Sequence, residues 1–405
     1  MRRLTQKNGL PGLRFLAETK IQNTSQQLTE VGIVGGGLAG LTAAIILARA
    51  GRKVVLLEQK DYPRHKVCGE YISNEVRPIL EDLEIFPHEL RPIEIGRFQL
   101  SDPKKGIAET SLELGGFGIS RYALDNHLYQ KALAAGVSVF VNTKVKDIVF
   151  EDEGFKVETA RGAPYFFKAV IGAHGKRSII DRSLQRGFMA QNSAYVGVKQ
   201  HFTGDFPDDL VALHNFEGGY AGISRVEEKK INFCYLTDTT VLSRYDSIDQ
   251  LNEKHLGRNP YLAEFLSHSE PVFEKPLVIS QVNFSDKAPV ENHMLMCGDA
   301  AGLIHPLCGN GMAMAIHAAA IAAVHLNDFL SHRISRAEME MAYTRDWRKH
   351  FQFRLRFGRL ASGLFGKKMI SALSVGLARR LPRVFPQVVS LSHGKLIRPN
   401  LPQHA

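Results

Sequence analysis

The sequence predicts a mixed α/β fold: a parallel sheet grown from one strand–helix–strand unit, a second, antiparallel sheet, and a helical C-terminal region. Three observations carry this. The apolar run VGIV at 31–34 leads through three glycines into the helix-patterned LTAAIILARAG at 41–51. Strand-like alternation then crowds residues 195–283, and after a second glycine-rich stretch near 298–311 the pattern is helical to the end.

Taken in order, KVVLLEQ at 53–59 returns as a second strand directly after the helix and completes a Rossmann-like βαβ unit. SRYALDNHLYQKALAAG at 120–136 spaces its apolar residues for a helix and stops at Gly136. Residues 137–162 read as strands with turns, and KAVIGAHG at 168–175 reads as a strand returning to the first sheet. YVGVKQHF, GGYAGISRV and KINFCYLT, at 195–202, 218–226 and 230–237, read as an antiparallel sheet. Met294 to Cys297 forms a further strand that feeds a long helix. The expected organisation is an N-terminal extension at 1–28; a discontinuous nucleotide domain of 29–95, 115–185 and 290–330; a substrate subdomain of 96–114 and 190–289; and a basic helical region at 331–405. No internal repeat is visible.

With 44% hydrophobic and 23% charged residues over 405 positions, the chain can bury a large core. Its four cysteines, Cys68, Cys234, Cys297 and Cys308, form no CxxC pair, so neither a disulfide framework nor a metal site is expected, and a reducing cytoplasm fits. The first thirty residues are polar and mixed, without the apolar run of a secretory signal. The longest apolar stretch, 316–324, is too short to span a bilayer. The net charge of +10 sits at one end: residues 345–405 hold 13 lysines and arginines against one acid, Asp346, leaving −2 for the rest. Phe, Leu and Ile interleave with the cations there. That suits a helix on an anionic membrane, a lid over a greasy ligand, or a cap whose arginine stems snorkel along the core. No nucleic-acid motif accompanies the charge.

Gly35-Gly36-Gly37-Leu38-Ala39-Gly40 fits G-x-G-x-x-G. Gly35 permits the tight turn, Gly37 lets backbone approach a pyrophosphate, and Gly40 lets helix and strand pack closely, while the amides of Leu38 and Ala39 lie at the positive helix end. Glu58 and Gln59 close the second strand, with Glu58 18 residues beyond Gly40, where a carboxylate accepts bonds from ribose hydroxyls.

Three more segments carry chemistry: MCGDAAGLIHPLCGNGMAMA at 296–315, SRYALDNHL at 120–128 and PRHKVCGEYIS at 63–73. Together with the glycine loop they resemble the flavoprotein superfamily of p-hydroxybenzoate hydroxylase-like aromatic hydroxylases, geranylgeranyl reductases and flavin-dependent halogenases, over about residues 29–330. The nearest branch is the geranylgeranyl reductase-like one, through Cys68-Gly69 and Gly302. The resemblance implies FAD as cofactor. Gly298 and Asp299 match the motif whose aspartate binds the ribityl hydroxyls. Pro306, Gly309, Gly311 and Met312 match the helix start facing the pyrimidine edge of the isoalloxazine, where positive helix ends stabilise reduced flavin. Arg121 matches the arginine that reaches the FAD, Val145 the backbone contact to adenine, and Lys66 and Cys68 the segment beside the isoalloxazine. Cys68 and His305 are the catalytic candidates, with His214 the other nearby histidine, and Tyr220 is the substrate-contact candidate.

Departures narrow the reading. His174 replaces the aspartate of the G-A-D-G motif, leaving the reductant open between NAD(P)H and a protein donor such as ferredoxin. The sole tryptophan, Trp347, lies in the C-terminal region, so the halogenase W-x-W-x-I-P motif is absent and halogenation is not expected. In GGYAGISRV, Tyr220 of the reductase Y-x-W-x-F-P motif remains, but Gly222 and the residues around Arg225 do not match. The expected activity is an FAD-dependent oxidoreductase, monooxygenase or reductase, acting on a small lipophilic or aromatic metabolite. It would hydroxylate through a flavin C4a-hydroperoxide or reduce an olefin; the alternative is a non-redox flavin-bound cyclase or regulatory protein. The expected location is cytoplasmic, with peripheral membrane contact through the basic tail.

Overall fold

In the computed structural model, described here for residues 28–191, 194–305, 309–362, 368–391 and 394–402, the first strand, Thr29–Val34, is buried along its second half and sits at the centre of the first sheet. It pairs in parallel with Val54–Leu57 on one side and Tyr165–Gly172 on the other, and Met294–Met296 continues beyond the latter, also parallel. Ser138–Phe140 adds a parallel edge, while Val145–Glu151 and Gly154–Thr159 attach as an antiparallel meander. The expected return of the 168–175 segment to this sheet is what forms, starting three residues earlier.

The helix after the glycine turn, Leu38–Arg49, is buried on nearly all sides. It lies between Arg121–Ala134 and the alanine-rich Gly311–Leu330, whose small side chains permit close approach. Ser120 caps Arg121–Ala134 by accepting from the Ala123 amide. Gly311–Leu330 is long and apolar enough to cross a membrane by composition, more than the 316–324 run suggests, but most of it is buried in the core of this fold.

The second sheet is antiparallel save for one pair, Leu210–Phe216 beside Ile93–Ser101, which run parallel. It also takes in Ile107–Gly118 and the short Tyr71–Ser73, so the stretch after the second nucleotide-domain strand crosses into this sheet. One face carries Phe202, Phe216 and Phe233 against small helices, among them Ile248–Lys254 and Pro260–Ser267. The other carries Leu100, Leu213, Tyr220, Leu236 and Val282, covered by Val375 and Phe385 of the tail.

The basic tail therefore folds back on the body. Arg336–Ser362 packs on Gly311–Leu330, and Lys368–Arg380 and Phe385–Ser390 both lie on Ile107–Gly118. Glu75, fully buried, ties down the end: its carboxylate accepts from Arg354 at 3.0 Å and from the Gly394 amide, and its carbonyl accepts from the Ile397 amide at 3.0 Å.

Candidate functional site

The glycine turn sits where sequence logic needs it. Gly35 has φ +105°, and a Cβ there would lie 2.4 Å from the Ala173 carbonyl oxygen; one on Gly40 would lie 1.9 Å from the Gly35 carbonyl oxygen, so helix and strand touch through bare backbone. Leu38–Arg49 has no side-chain N-cap and no acid in its first turn, leaving its first amides to an anion. Two cations stand over the same turn: a Cβ on Gly37 would be 3.8 Å from an Arg121 guanidinium nitrogen and 4.0 Å from Lys66 Nζ. Both cations grip Asp125, Lys66 at 2.6 Å and Arg121 at 2.7 and 2.9 Å. Burial opposes ionisation of Asp125, but Arg121 and Lys66 outweigh it and hold the carboxyl below its usual range.

From this turn an elongated cleft of about 1010 Å³ runs to the start of Gly311–Leu330, at the upper end of ordinary ligand sites. It is lined by Gly35, Gly37, Leu38, Ala39, Glu58, Gln59, Lys66, Cys68, Arg121, Val145, Gly298, Asp299, Gly309, Gly311 and Met312. The fold thus gathers fifteen expected cofactor positions from both ends of the chain. Gly40 is packed behind the cleft, and Pro306 lies outside the described residues. Glu58 accepts from the Gly36 amide at 2.7 Å and the Lys60 amide at 2.9 Å and pairs with Arg64 at 2.9 Å, so it braces the turn besides facing the cleft.

At the far end Asp299 has no hydrogen bond to its carboxylate among the described residues, and burial pushes its carboxyl up, against the pull of Lys287, Arg121 and Lys176. A half-buried carboxylate facing a cleft without partners fits a polyhydroxyl chain. The first turn of Gly311–Leu330 carries no acid, so its positive end meets the cleft uncompensated. The donor set fits FAD: free helix amides and cations for a pyrophosphate at one end, an acceptor and a second helix end at the other.

A second cavity, about 630 Å³, opens beside this end and shares Val67, Cys68, Gly69, Tyr71, Lys176, Ile279, Asp299, Leu303 and Gly309 with the cleft. Its walls are overwhelmingly apolar: Phe98, Leu100, Leu213, Tyr220 and Leu236 from the second sheet, and Phe357, Leu377, Leu381, Phe385 and Val388 from the tail. Tyr220, the expected substrate contact, is on this wall. Cys68 stands at the junction, its thiol pushed up by burial, with Arg121 pulling the other way. His305 lines neither cavity; it packs against Phe284 at 4.4 Å and Tyr220 at 5.8 Å between ring centroids, and burial pushes it down to about 4. His214 also lines neither. It is bonded to Ser101 at 2.7 Å, and burial likewise takes it to about 4. His174 lines the cleft and is held by Asp181 at 3.1 Å.

Sequence reasoning missed three groups. Lys176 lies at the junction of the two cavities, and burial pushes it down to about 8. Lys287 donates at 2.7 Å to the carbonyls of both Lys176 and Asp299. Under the 63–73 segment, fully buried Glu70 pairs with fully buried Lys199, accepts from the Arg121 amide at 2.6 Å and meets His201 at 2.7 Å. Burial disfavours the Glu70 charge, but Lys199 and His201 outweigh it and keep the carboxyl low. The polar Lys199-Gln200-His201 triplet inside the strand-like run YVGVKQHF was the available signal for this network.

Residues 28–350 match the family model described as FAD binding domain. A conditioned medium factor receptor 1 of Dictyostelium discoideum is 25% identical over 74% of this chain, and a tryptophan 2-halogenase of Chondromyces crocatus is 22% identical over 80%. The matched part spans 64% and 66% of those relatives' own lengths. A digeranylgeranylglycerophospholipid reductase of Thermoplasma volcanium is 27% identical over 80% of this chain and 85% of its own. Among solved structures, a myxobacterial chondrochloren halogenase superposes with TM-score 0.72 at 18% identity, covering 90% of this chain and 96% of the other. A geranylgeranyl bacteriochlorophyll reductase-like protein of Thermoplasma acidophilum gives 0.69 at 21% identity, covering 91% and 92%. Halogenases, which the missing tryptophan motif argued against, are thus prominent among the similar proteins.

Proposed function

The chain belongs to the FAD binding domain family, as an FAD-dependent enzyme of the halogenase, geranylgeranyl reductase and hydroxylase superfamily, and from that premise we propose that it reduces an olefin in a lipophilic, isoprenoid-like substrate. The observation that carries this is the large apolar cavity meeting the cofactor cleft at Cys68, Tyr71 and Asp299. Such walls recognise a flexible hydrocarbon by area alone and offer few polar groups to orient a hydroxylated ring.

In this reading the amides of Leu38 and Ala39 hold the pyrophosphate, with Lys66 and Arg121 balancing its charge. Asp299 would accept hydrogen bonds from the ribityl hydroxyls, and the start of Gly311–Leu330 would lie toward the flavin. Bound FAD supplies two-electron, hydride-type redox chemistry. Lys176 holds a proton at the junction near neutral pH, since burial brings it to about 8, and is the group placed to protonate the substrate. Halogenation is the second reading, favoured by the halogenase relatives.

The test is anaerobic photoreduction of the FAD-loaded protein followed by mixing with a geranylgeranyl lipid. The expected result is lipid-dependent recovery of oxidised-flavin absorbance, with a product gaining two hydrogens. Lys176→Met should slow it at least about tenfold while FAD stays bound. Reoxidation only with oxygen, with an added phenol hydroxylated, or halogenated when bromide is also present, would replace the reductase reading.

A further inference from the structure

The apolar cavity is roofed by side chains that also form the outer surface. Leu360, Leu377, Leu381, Val384 and Val388 line it and are nonetheless between 43% and 75% exposed. Isolated exposed leucines are ordinary, but a connected group is not. Here the group extends to Leu373, one turn before Leu377 and 71% exposed, and to Phe353, two turns before Leu360 and 61% exposed. The apolar stripe therefore runs along both long tail helices and passes over the cavity roof.

Charge surrounds it. Arg356, Arg379, Arg380, Arg383, Lys395 and Arg398 are all exposed, and no acid follows Asp346 in the sequence. Apolar side chains set among arginines match the two layers of an anionic bilayer: hydrocarbon for the leucines, headgroups for the guanidinium groups. The body without this tail carries −2, so attraction to anionic lipid is a property of this face.

We propose that the 353–398 face docks on anionic phospholipid membranes and that the roof over the apolar cavity is the doorway through which a membrane-dissolved substrate reaches the junction with the cofactor cleft. The substrate half of this statement rests on the reductase reading above; the docking half does not. A hydrocarbon substrate held in a bilayer then never crosses water. It moves between leucines that contact lipid on one side and line the cavity on the other.

The test is flotation of the FAD-loaded full chain with vesicles of phosphatidylcholine alone or mixed with phosphatidylglycerol, at low and raised salt. Binding is expected only to the anionic vesicles and to weaken as salt rises. Arg379→Glu/Arg380→Glu/Arg383→Glu should lower it at least about tenfold, and Leu373→Asp should lower it in the same direction. None of these residues lines either cavity, so each variant should still bind FAD, which also certifies its fold. Equal binding to neutral vesicles, or no response to the arginine changes, overturns the docking. So does a Leu373-dependent dimer in light scattering, which would make a second copy the occupant of the face. Failure of vesicle binding with intact turnover of detergent-dissolved lipid removes the docking alone. Vesicle binding without any lipid-dependent redox turnover removes the reductase reading alone.

Discussion

Asp125 shows how one residue sets the charge of the phosphate end. It is fully buried and bonded to both Lys66 and Arg121, so two cations and one anion leave a net positive charge beside Gly37. That balance suits a ligand that brings its own negative charge. The Arg121–Asp125 pair is legible in sequence as an i,i+4 pair, whereas the Lys66–Asp125 partnership joins residues 59 apart and needed the fold. The buried histidines make a different prediction. His214 and His305 are each pushed down to about 4 by burial, from an ordinary 6.5. The unfolded chain then binds more protons than the native one between those values, so stability is full above pH 6.5 and falls as pH drops toward 4. Each should remove about 2 kcal/mol of stability between pH 8 and pH 5. Urea denaturation should show this loss, and His214→Asn, which keeps an acceptor toward Ser101, should show a smaller pH dependence.

At the scale of elements, the contact between Leu38–Arg49 and the first strand is the tightest constraint. A Cβ at Gly40 has no room against the Gly35 carbonyl, so Gly40→Ala must push the helix outward and move the Leu38 and Ala39 amides from the phosphate position. FAD affinity should fall at least about tenfold, read by flavin fluorescence titration, while Gly96→Ala, with nothing within 4 Å of its added methyl and a place outside both cavities, should fall far less. The βαβ unit was readable because its logic is local: apolar run, glycines, helix, apolar run. Assignment of strands to sheets was harder. Tyr71–Ser73 follows the nucleotide unit in sequence yet pairs with Ile107–Gly118 in the second sheet, and no nearby residue signals a partner that distant. The parallel pair within an otherwise antiparallel sheet is hidden for the same reason.

For the whole molecule, the tail couples the two sheets. It packs on the second sheet through Val375 and Phe385 and on the core of the first through Tyr343, Trp347 and Phe351, and its end is held by Glu75. Glu75→Ala removes one partner of a buried ion pair and should cost about 3–5 kcal/mol. It should also free residues 394–402, seen as faster tryptic cleavage at Lys395. By itself the sequence determined the pyrophosphate turn, the flavin-type second motif, most strands and helices, and the concentration of positive charge in the tail, because each is written in residues close together. Only the tertiary structure decided that the tail roofs an apolar cavity and that Lys176 stands at its junction with the cofactor cleft. It also decided that Glu70, Lys199 and His201 share one buried network. Those relations join side chains from remote segments, and burial, which sets both pairing and proton affinity, does not exist until the chain has folded.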